Sequence, residues 1–523
     1  MKTMFRQGGG PLLSGVLLAL CFPTWQLFFL AWVALAPLFY VCRNTTPRQT
    51  ALRFFVAGWA FHSVVLQWLL TNMYWAGGWA FWGQQAVCLV MAAYWALTGA
   101  AWAWLRGRLR WMPQSLLLAV LWATMEYAQN HLLSGFGWSN LAYSQGRDLL
   151  LLQLAAIGGT PLIAGLLVAS NVLFSELFHA HRLRLARAAL ALALLIGSHG
   201  VGMALLQPAV YASPPFKAGV FQSNFPLEMK WDPEYSLEMV RNAAEKSRLL
   251  AEHAPVNLFV WPETLVMEDL TAPGILAPLE ELTRSTGAAL YTGSQRIDAE
   301  TGRARNSSFL ISPSGAVEGH YDKIHLAPFG EYVPFGSYFP FIQKIVPIIS
   351  DVEPGRETRV FSLEERTFGP LICFEVLFAE MSEALRRQGA DFLVVITNLG
   401  WFGASNALEQ ELEQARLRAI ETRLALVHCA NTGLSGVFDP WGRFTATNAV
   451  VMPSGTFHWL REDPSARDLK QYRCLGALPV AEPAARPVPW SPQRVPQASV
   501  AVSVVFVALA IAPRRRPAPG PAA

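Results

Sequence analysis

Hydrophobic and polar positions divide the chain into two regimes. Up to about residue 206, long apolar runs alternate with short breaks, at 9–22, 25–42, 54–72, 84–105, 114–133, 149–175 and 188–206; one more run lies at 495–512. About 20 mostly apolar residues of helix cross a bilayer core. The pattern therefore predicts a polytopic α-helical membrane domain of about eight helices, seven ahead of a long polar stretch and one behind it. The first run is short, and Pro23 divides it from the second, which suggests a tight hairpin. From about residue 207 the runs shorten and become β-rich, at 218–222, 257–261, 289–294, 308–312, 371–374, 392–397 and 425–430. Helical patterns at 233–252, 276–286, 381–388 and 408–421 lie between several of them. Strands alternating with amphipathic helices indicate a layered α/β domain. Residues 461–494, rich in Pro, Ala and Arg without clear periodicity, are expected to form a linker. The expected domains are thus 1–206 (transmembrane), 213–460 (α/β), the linker, a last helix at 495–513 and a basic tail at 514–523.

Composition supports the membrane half of this picture. Hydrophobic residues are 53% of the 523 before glycine is counted, against roughly 45–50% with glycine in soluble domains, and charged residues are only 15%. Mean hydropathy is positive, at +0.29. A net charge of +4, with arginines in short clusters between apolar runs, argues against nucleic acid as a partner. Among Cys21, Cys42, Cys88, Cys373, Cys429 and Cys474 no pair has CxxC spacing, so neither a zinc site nor a disulfide framework is suggested. The N-terminus resembles a signal peptide, but more apolar runs follow at once without a small-residue cleavage site, so it reads as a retained anchor.

Loop charge then orients the chain. Lys2 and Arg6 precede the first run, and Arg43, Arg48 and Arg53 follow the second. Arg106, Arg108 and Arg110, then Arg182, Arg184 and Arg187, and finally Arg514, Arg515 and Arg516 occupy the loops on that same side. The alternate loops carry almost no charge. The positive-inside rule places both termini in the cytoplasm and the α/β domain on the opposite face, the periplasm of a Gram-negative inner membrane.

Three places in the α/β domain have one form, a strand-like run leading to a reactive side chain. Leu-Phe-Val-Trp-Pro ends at Glu263; an extended loop carries Lys323 and Glu331; Pro-Leu-Ile leads to Cys373. Open α/β sheets assemble sites at strand ends. A thiol becomes a useful nucleophile when a base takes its proton or a cation stabilises the thiolate. Glu263 suits the base, and Lys323 the cation that also holds the oxyanion of a tetrahedral intermediate. Taken singly, each also has a structural reading: Glu263 as a strand-end acid, Lys323 as a solvated loop lysine, Cys373 as a core thiol.

Trp-Pro-Glu263, Lys323-x-x-Leu-x-Pro-Phe-Gly-Glu331 and Leu-Ile-Cys373-Phe-Glu375 resemble the three signature blocks of the nitrilase (carbon–nitrogen hydrolase) superfamily, with its Glu-Lys-Cys triad. Membrane spans on both sides of such a domain make the chain similar to the apolipoprotein N-acyltransferase family. Lys230-Trp231, Thr397-Asn398 with Trp401-Phe-Gly403, and Gly135-Phe-Gly-Trp138 fit the same resemblance. It implies an α-β-β-α sandwich. It also implies acyl transfer from a membrane phospholipid, through a thioester on Cys373, to the α-amine of the diacylglyceryl-cysteine of an apolipoprotein. No metal or other cofactor is implied, and a monomer is expected. By the same resemblance Glu331 would orient Lys323 or assist Glu263, and Glu375 would shape the site beside the nucleophile. Trp231, Trp401 and Phe402 would sit near a lipid entrance. Phe374, Leu399 and Glu411 depart from the family pattern, where a tyrosine, an acid and a histidine are usual. Two other readings remain open at this stage: a membrane-anchored amidase acting on a small amide, and a non-enzymatic membrane protein with a degenerate hydrolase domain. Intramembrane ionisable groups such as Glu126 and His62 would bear on the latter.

Overall fold

The computed structural model describes residues 8–23, 25–72, 79–178, 183–333, 352–364, 366–447, 449–451, 457–459 and 473–511. Among the expected orienting charges, Lys2, Arg6, Arg182 and Arg514 to Arg516 lie outside the described residues.

Helices occupy every apolar run of the first 206 residues. They are α1 (Gly10–Ala19), α2 (Ala36–Cys42), α3 (Pro47–Val65), α4 (Ala80–Arg106), α5 (Gln114–His131), the single turn α6 (Leu149–Leu152), α7 (Ala155–Leu177) and α8 (Arg184–Leu205). With a last helix at Arg494–Ile511, four of the described helices are long and apolar enough to cross a membrane: α4, α7, α8 and that last one. Length and composition thus support four of the eight spans expected. The second run breaks into a 3-10 turn (Phe28–Trp32) before α2, and α1 is only ten residues long. α3 opens on polar residues: Pro47 sits in its first turn and Thr46 and Gln49 close a reciprocal capping box. Close helix approach needs small residues in an apolar solvent. A Cβ on Gly58 of α3 would fall 2.9 Å from the Trp95 ring of α4, and one on Gly99 of α4 2.6 Å from Phe54 of α3.

The α/β part contains two sheets. Its strands are β1 (Lys217–Gln222), β2 (Leu258–Val260), β3 (Val266–Asp269), β4 (Ala289–Ile297), β5 (Ala304–Ile311), β6 (Val317–Asp322), β7 (Phe361–Leu363), β8 (Arg366–Ile372), β9 (Phe392–Thr397), β10 (Ala425–Ala430), β11 (Gly436–Phe438), β12 (Phe444–Ala446), β13 (Ala449–Val451), β14 (Phe457–Trp459) and β15 (Arg473–Pro479). One sheet runs β14-β13-β15-β1-β2-β4-β5-β6 with β3 paired to β4; the other runs β12-β11-β10-β9-β8-β7. The helices are α9 (Leu227–Trp231), α10 (Ser236–His253), α11 (Pro273–Thr286), α12 (Ala379–Arg387) and α13 (Ala407–Thr422), and α14 is Arg494–Ile511.

The period-2 alternation of the strands builds the layers. On β1, β2 and β4, Val220, Val260 and Tyr291 enter a core shared with Leu371, Val394 and Leu426 of the other sheet. Their neighbours Phe221, Phe259 and Leu290 face the opposite way, onto Met239 and Val240 of α10 and Leu279 and Leu282 of α11. α12 and α13 flank the second sheet, which completes an α-β-β-α sandwich. The expected linker is corrected here. Its residues 473–479 form β15, paired antiparallel with all of β1 from Lys217↔Pro479 to Gln222↔Cys474. Buried Cys474, Leu475 and Leu478 supply the reason, since they close the sandwich beside β1.

Candidate active site

β2 ends because Pro262 has no N–H to continue the ladder; Trp261 N still donates to Tyr291 O at 2.9 Å, and Pro262 only accepts, from Gly293 N at 3.3 Å. Glu263 follows, buried, over a β4 residue that has no side chain. A Cβ on Gly293 would lie 2.7 Å from the Glu263 Cα. Lys323 follows β6, and its N–H donates to Asn306 O at 2.8 Å. Cys373 follows β8 at φ +52°, a left-handed value that non-glycine residues avoid. The strained elbow turns the chain into a short 3-10 turn, Cys373–Leu377, and leaves Cys373 partly exposed.

Lys323 is the hub of the site. Its Nζ donates to Glu263 Oε1 at 3.1 Å and lies 3.1 and 3.0 Å from Glu331 Oε1 and Oε2. Asn306 Nδ2 donates to the same two acids, at 2.8 Å to Glu263 Oε1 and 2.7 Å to Glu331 Oε1. The second oxygen of Glu263 accepts from Asn398 N at 2.8 Å, and that of Glu331 from Ala327 N at 2.7 Å. Burial works to raise the Glu263 carboxyl, but Lys323 and Asn306 hold it below its ordinary value. Burial opposes the Lys323 ammonium, and the two carboxylates more than offset it, so Lys323 lies well above the usual lysine range. Burial pushes the Cys373 thiol well up; Glu263 adds to this, while Lys323 and the Thr397 hydroxyl pull it down. The resting site is therefore a fixed carboxylate–ammonium pair beside a protonated thiol.

Glu375 lies behind this arrangement. Its Oε1 accepts from Tyr321 Oη at 2.8 Å, Ile324 N at 2.6 Å and His325 N at 3.3 Å, and its Oε2 accepts from Ile372 N at 2.8 Å. It ties the lysine loop to the elbow, and burial pushes it up to about 7. Trp231, ending α9, meets Trp401 edge-on at 5.8 Å between ring centroids. Phe402 packs edge-on against Trp68 at 4.6 Å, and Trp68 against Trp138 at 4.7 Å. Phe374 is stacked on Phe136 of the membrane part, 6.4 Å between centroids.

The residue that sequence reasoning missed is Asn306. Only its place on β5 beside Lys323, one residue before the Ser307↔Asp322 pair, marks it, and an asparagine in a strand carries no chemical signature. Lys230, noted only as part of a motif, donates from Nζ to Glu263 O at 3.1 Å; its burial lowers it to about 7 against the pull of Glu263. Among the described residues no cluster of His, Cys, Asp and Glu has a geometry for a metal ion.

Comparison with known proteins extends this picture. Residues 14–173 match the family model described as apolipoprotein N-acyltransferase N-terminal domain, and residues 217–450 match the carbon-nitrogen hydrolase model. The chain is 35% identical to an apolipoprotein N-acyltransferase of Geobacter metallireducens over 82% of this chain and 84% of that one. It is 31% identical to one of Pseudomonas syringae pv. tomato, over 83% and 87%. Among solved structures, a Saccharomyces cerevisiae member of branch 10 of the nitrilase superfamily is similar at 18% identity and a TM-score of 0.35, over 48% of this chain and 92% of that one.

Proposed function

The chain belongs to the apolipoprotein N-acyltransferase family, and from that premise we propose that Glu263, Lys323 and Cys373 are its catalytic residues. It is an acyltransferase enzyme of the membrane, acting through a carbon-nitrogen hydrolase domain. The observation that carries the residue assignment is the Lys323 ammonium held between Glu263 and Glu331 beside the strained Cys373.

In the first step the Glu263 carboxylate takes the thiol proton as Cys373 Sγ attacks an ester carbonyl of a membrane phospholipid. Lys323 stabilises the oxyanion. Collapse breaks the C–O bond, and the proton on Glu263 passes to the leaving alkoxide, which departs as lysophospholipid. In the second step the α-amine of a diacylglyceryl-cysteine attacks the thioester. Glu263 takes the amine proton and returns it to the departing Cys373 sulfur. The acyl chain has then moved from oxygen through sulfur to nitrogen, with the enzyme regenerated.

Glu331 and Asn306 keep the ammonium aimed, and Glu375 braces the elbow. The pairing of Trp231 with Trp401 supports an aromatic entrance for lipid. Loop arginines support cytoplasmic termini and a periplasmic catalytic domain, and so an even number of crossings, which the eight apolar runs of the sequence put at eight. All the reacting groups come from one chain, which supports action as a monomer. The test is incubation with phospholipid bearing a labelled acyl chain. A labelled thioester on Cys373 with released lysophospholipid is expected, and none in Cys373→Ala, which remains membrane-inserted. Labelling of Cys373→Ala, or hydrolysis of soluble amides without any lipid adduct, would sink the assignment.

A further inference from the structure

The back of the nucleophile holds a second set of buried polar groups that the two steps above do not use. β8 and β9 are parallel neighbours in register Ile372↔Ile396, so Thr397, the last residue of β9, lies alongside Cys373. From there its hydroxyl acts to pull the Cys373 thiol down. On its other side Thr397 Oγ1 lies 3.0 and 3.2 Å from Glu411 Oε1 and Oε2, on α13. Glu411 is fully buried and acts electrostatically against ionisation of Cys373. Facing Glu411 from β10 is His428, with Nε2 3.8 Å from Glu411 Oε2. His428 Nδ1 is 2.8 Å from the carbonyl of Leu434, which only accepts, so Nδ1 carries a hydrogen. Nε2 has no hydrogen-bond partner among the described residues.

The remaining charged groups nearby are accounted for. Glu263 and Lys323 reach Cys373 from the opposite side. Arg418 and Glu421, farther along α13, pair with each other at 2.9 Å, and Glu383 on the adjoining α12 pairs with Arg486. Glu375 is occupied by the four donors of the elbow and the lysine loop.

We infer that Glu411 is a positioning residue of the acyl transfer: by holding the Thr397 hydroxyl, it decides whether that hydroxyl can donate to the Cys373 sulfur. The inference rests on the assignment of Cys373 as nucleophile. Thr397 has one hydroxyl hydrogen, and Glu411 takes it in the structure. When the thiol proton passes to Glu263, the thiolate competes with Glu411 for that one donor.

The experiment is the pH dependence of Cys373 alkylation by iodoacetamide in the full-length protein, followed by mass spectrometry of the Cys373 peptide. It needs no acyl transfer, so its failure is distinct from failure of the proposed function. Glu411→Gln can donate to Thr397 Oγ1 instead of holding its hydrogen, which frees the hydroxyl for the thiolate, and should move the alkylation midpoint down by about half a pH unit, roughly a threefold gain in thiolate at a given pH. Thr397→Val keeps the branched volume but loses the donor, and should move the midpoint up. In the Thr397→Val background, Glu411→Gln should lose most of its effect, whereas Thr397→Ser should preserve it. A Glu411→Gln profile superimposed on the parent, or an equal shift with and without the hydroxyl, overturns the inference. If Glu411→Gln fails to fold, Thr397→Val decides alone, an unchanged midpoint overturning it.

Discussion

In the proposed mechanism Lys323 meets three demands in one side chain: it must remain charged while buried, fix the base, and meet the oxyanion. Two carboxylates satisfy the first two together. Glu331→Gln removes one of them without changing shape, so kcat should fall on the order of 10²-fold with KM little altered, in steady-state assays with phospholipid donor. The charge states also set the pH behaviour. Glu263, held below its ordinary 4.5, contributes stability above that value that is lost as pH falls through its lower folded value. Lys323, held above 10.5, contributes below that value and loses it as pH rises through the higher folded one. The pH–rate profile should therefore show no acid limb from Glu263 above about 4.5. Lys230 has the opposite sign for a lysine: it lies at about 7, so its folded form gains stability as pH rises from there towards 10.5. Lys230→Met should erase that rise, a difference on the order of 3 kcal/mol between pH 7 and 10 in paired denaturation curves. Glu263, Lys323 and Cys373 were legible as residue types at strand ends, and Glu331 and Glu375 only through the family resemblance. Asn306 and the Thr397–Glu411 pair were not, because their roles come from neighbours across the sheets rather than along the chain.

Strand ends and their contacts decide how accurately those side chains are held. Gly293 of β4 lets the backbone of Glu263 pass directly over it; a Cβ there would meet Thr264 N at 2.5 Å. Gly293→Ala must displace the base, and acyl transfer should fall by at least about 10²-fold, while the secondary structure seen by circular dichroism persists. The β-rich runs announced most long strands of both sheets. The three-residue strands β7, β11, β12, β13 and β14 were not announced, since three residues are too few for a period-2 signal. β15 was hidden differently: it sits among prolines and alanines, and its strand character comes from pairing with β1. Among the membrane helices, the apolar runs located the segments, but the 3-10 interruption after Leu27 and the polar start of α3 are turn and capping features that hydropathy averages away.

On the scale of the whole molecule, α13 joins the catalytic sandwich to the membrane helices. Gln410 Nε2 donates to Val65 O at 3.0 Å and Pro23 O at 3.3 Å, and its Oε1 accepts from Trp138 Nε1 at 2.6 Å. Thr71 Oγ1 donates to Phe402 O at 2.9 Å. The α7 chain breaks at Gly158 and Gly159, and the freed Thr160 N–H donates to Glu421 of α13 at 3.3 Å. Side chains of the catalytic domain thus satisfy backbone groups that would otherwise be buried unpaired at the ends of membrane helices. Gln410→Ala leaves the buried Trp138 Nε1 without its acceptor and leaves the Val65 and Pro23 carbonyls to Asn406 Nδ2 alone. It should cost about 1–3 kcal/mol in detergent-solubilised unfolding, with Cys373 still alkylated at the parent rate.

By itself the sequence determined that the protein is a membrane protein with an α/β domain, and which acid, lysine and cysteine to watch. Hydropathy, loop charge and strand-end motifs are local quantities that sum along a chain without knowledge of its pairing. Only the tertiary structure decided that Lys323 is shared by Glu263 and Glu331, that Asn306 bridges the same acids, and that residues 473–479 belong to the main sheet. Those facts depend on strand register and on burial between two sheets. Neighbours there are chosen by the packing of residues far apart in sequence, and the same burial sets how strongly their charges act on one another.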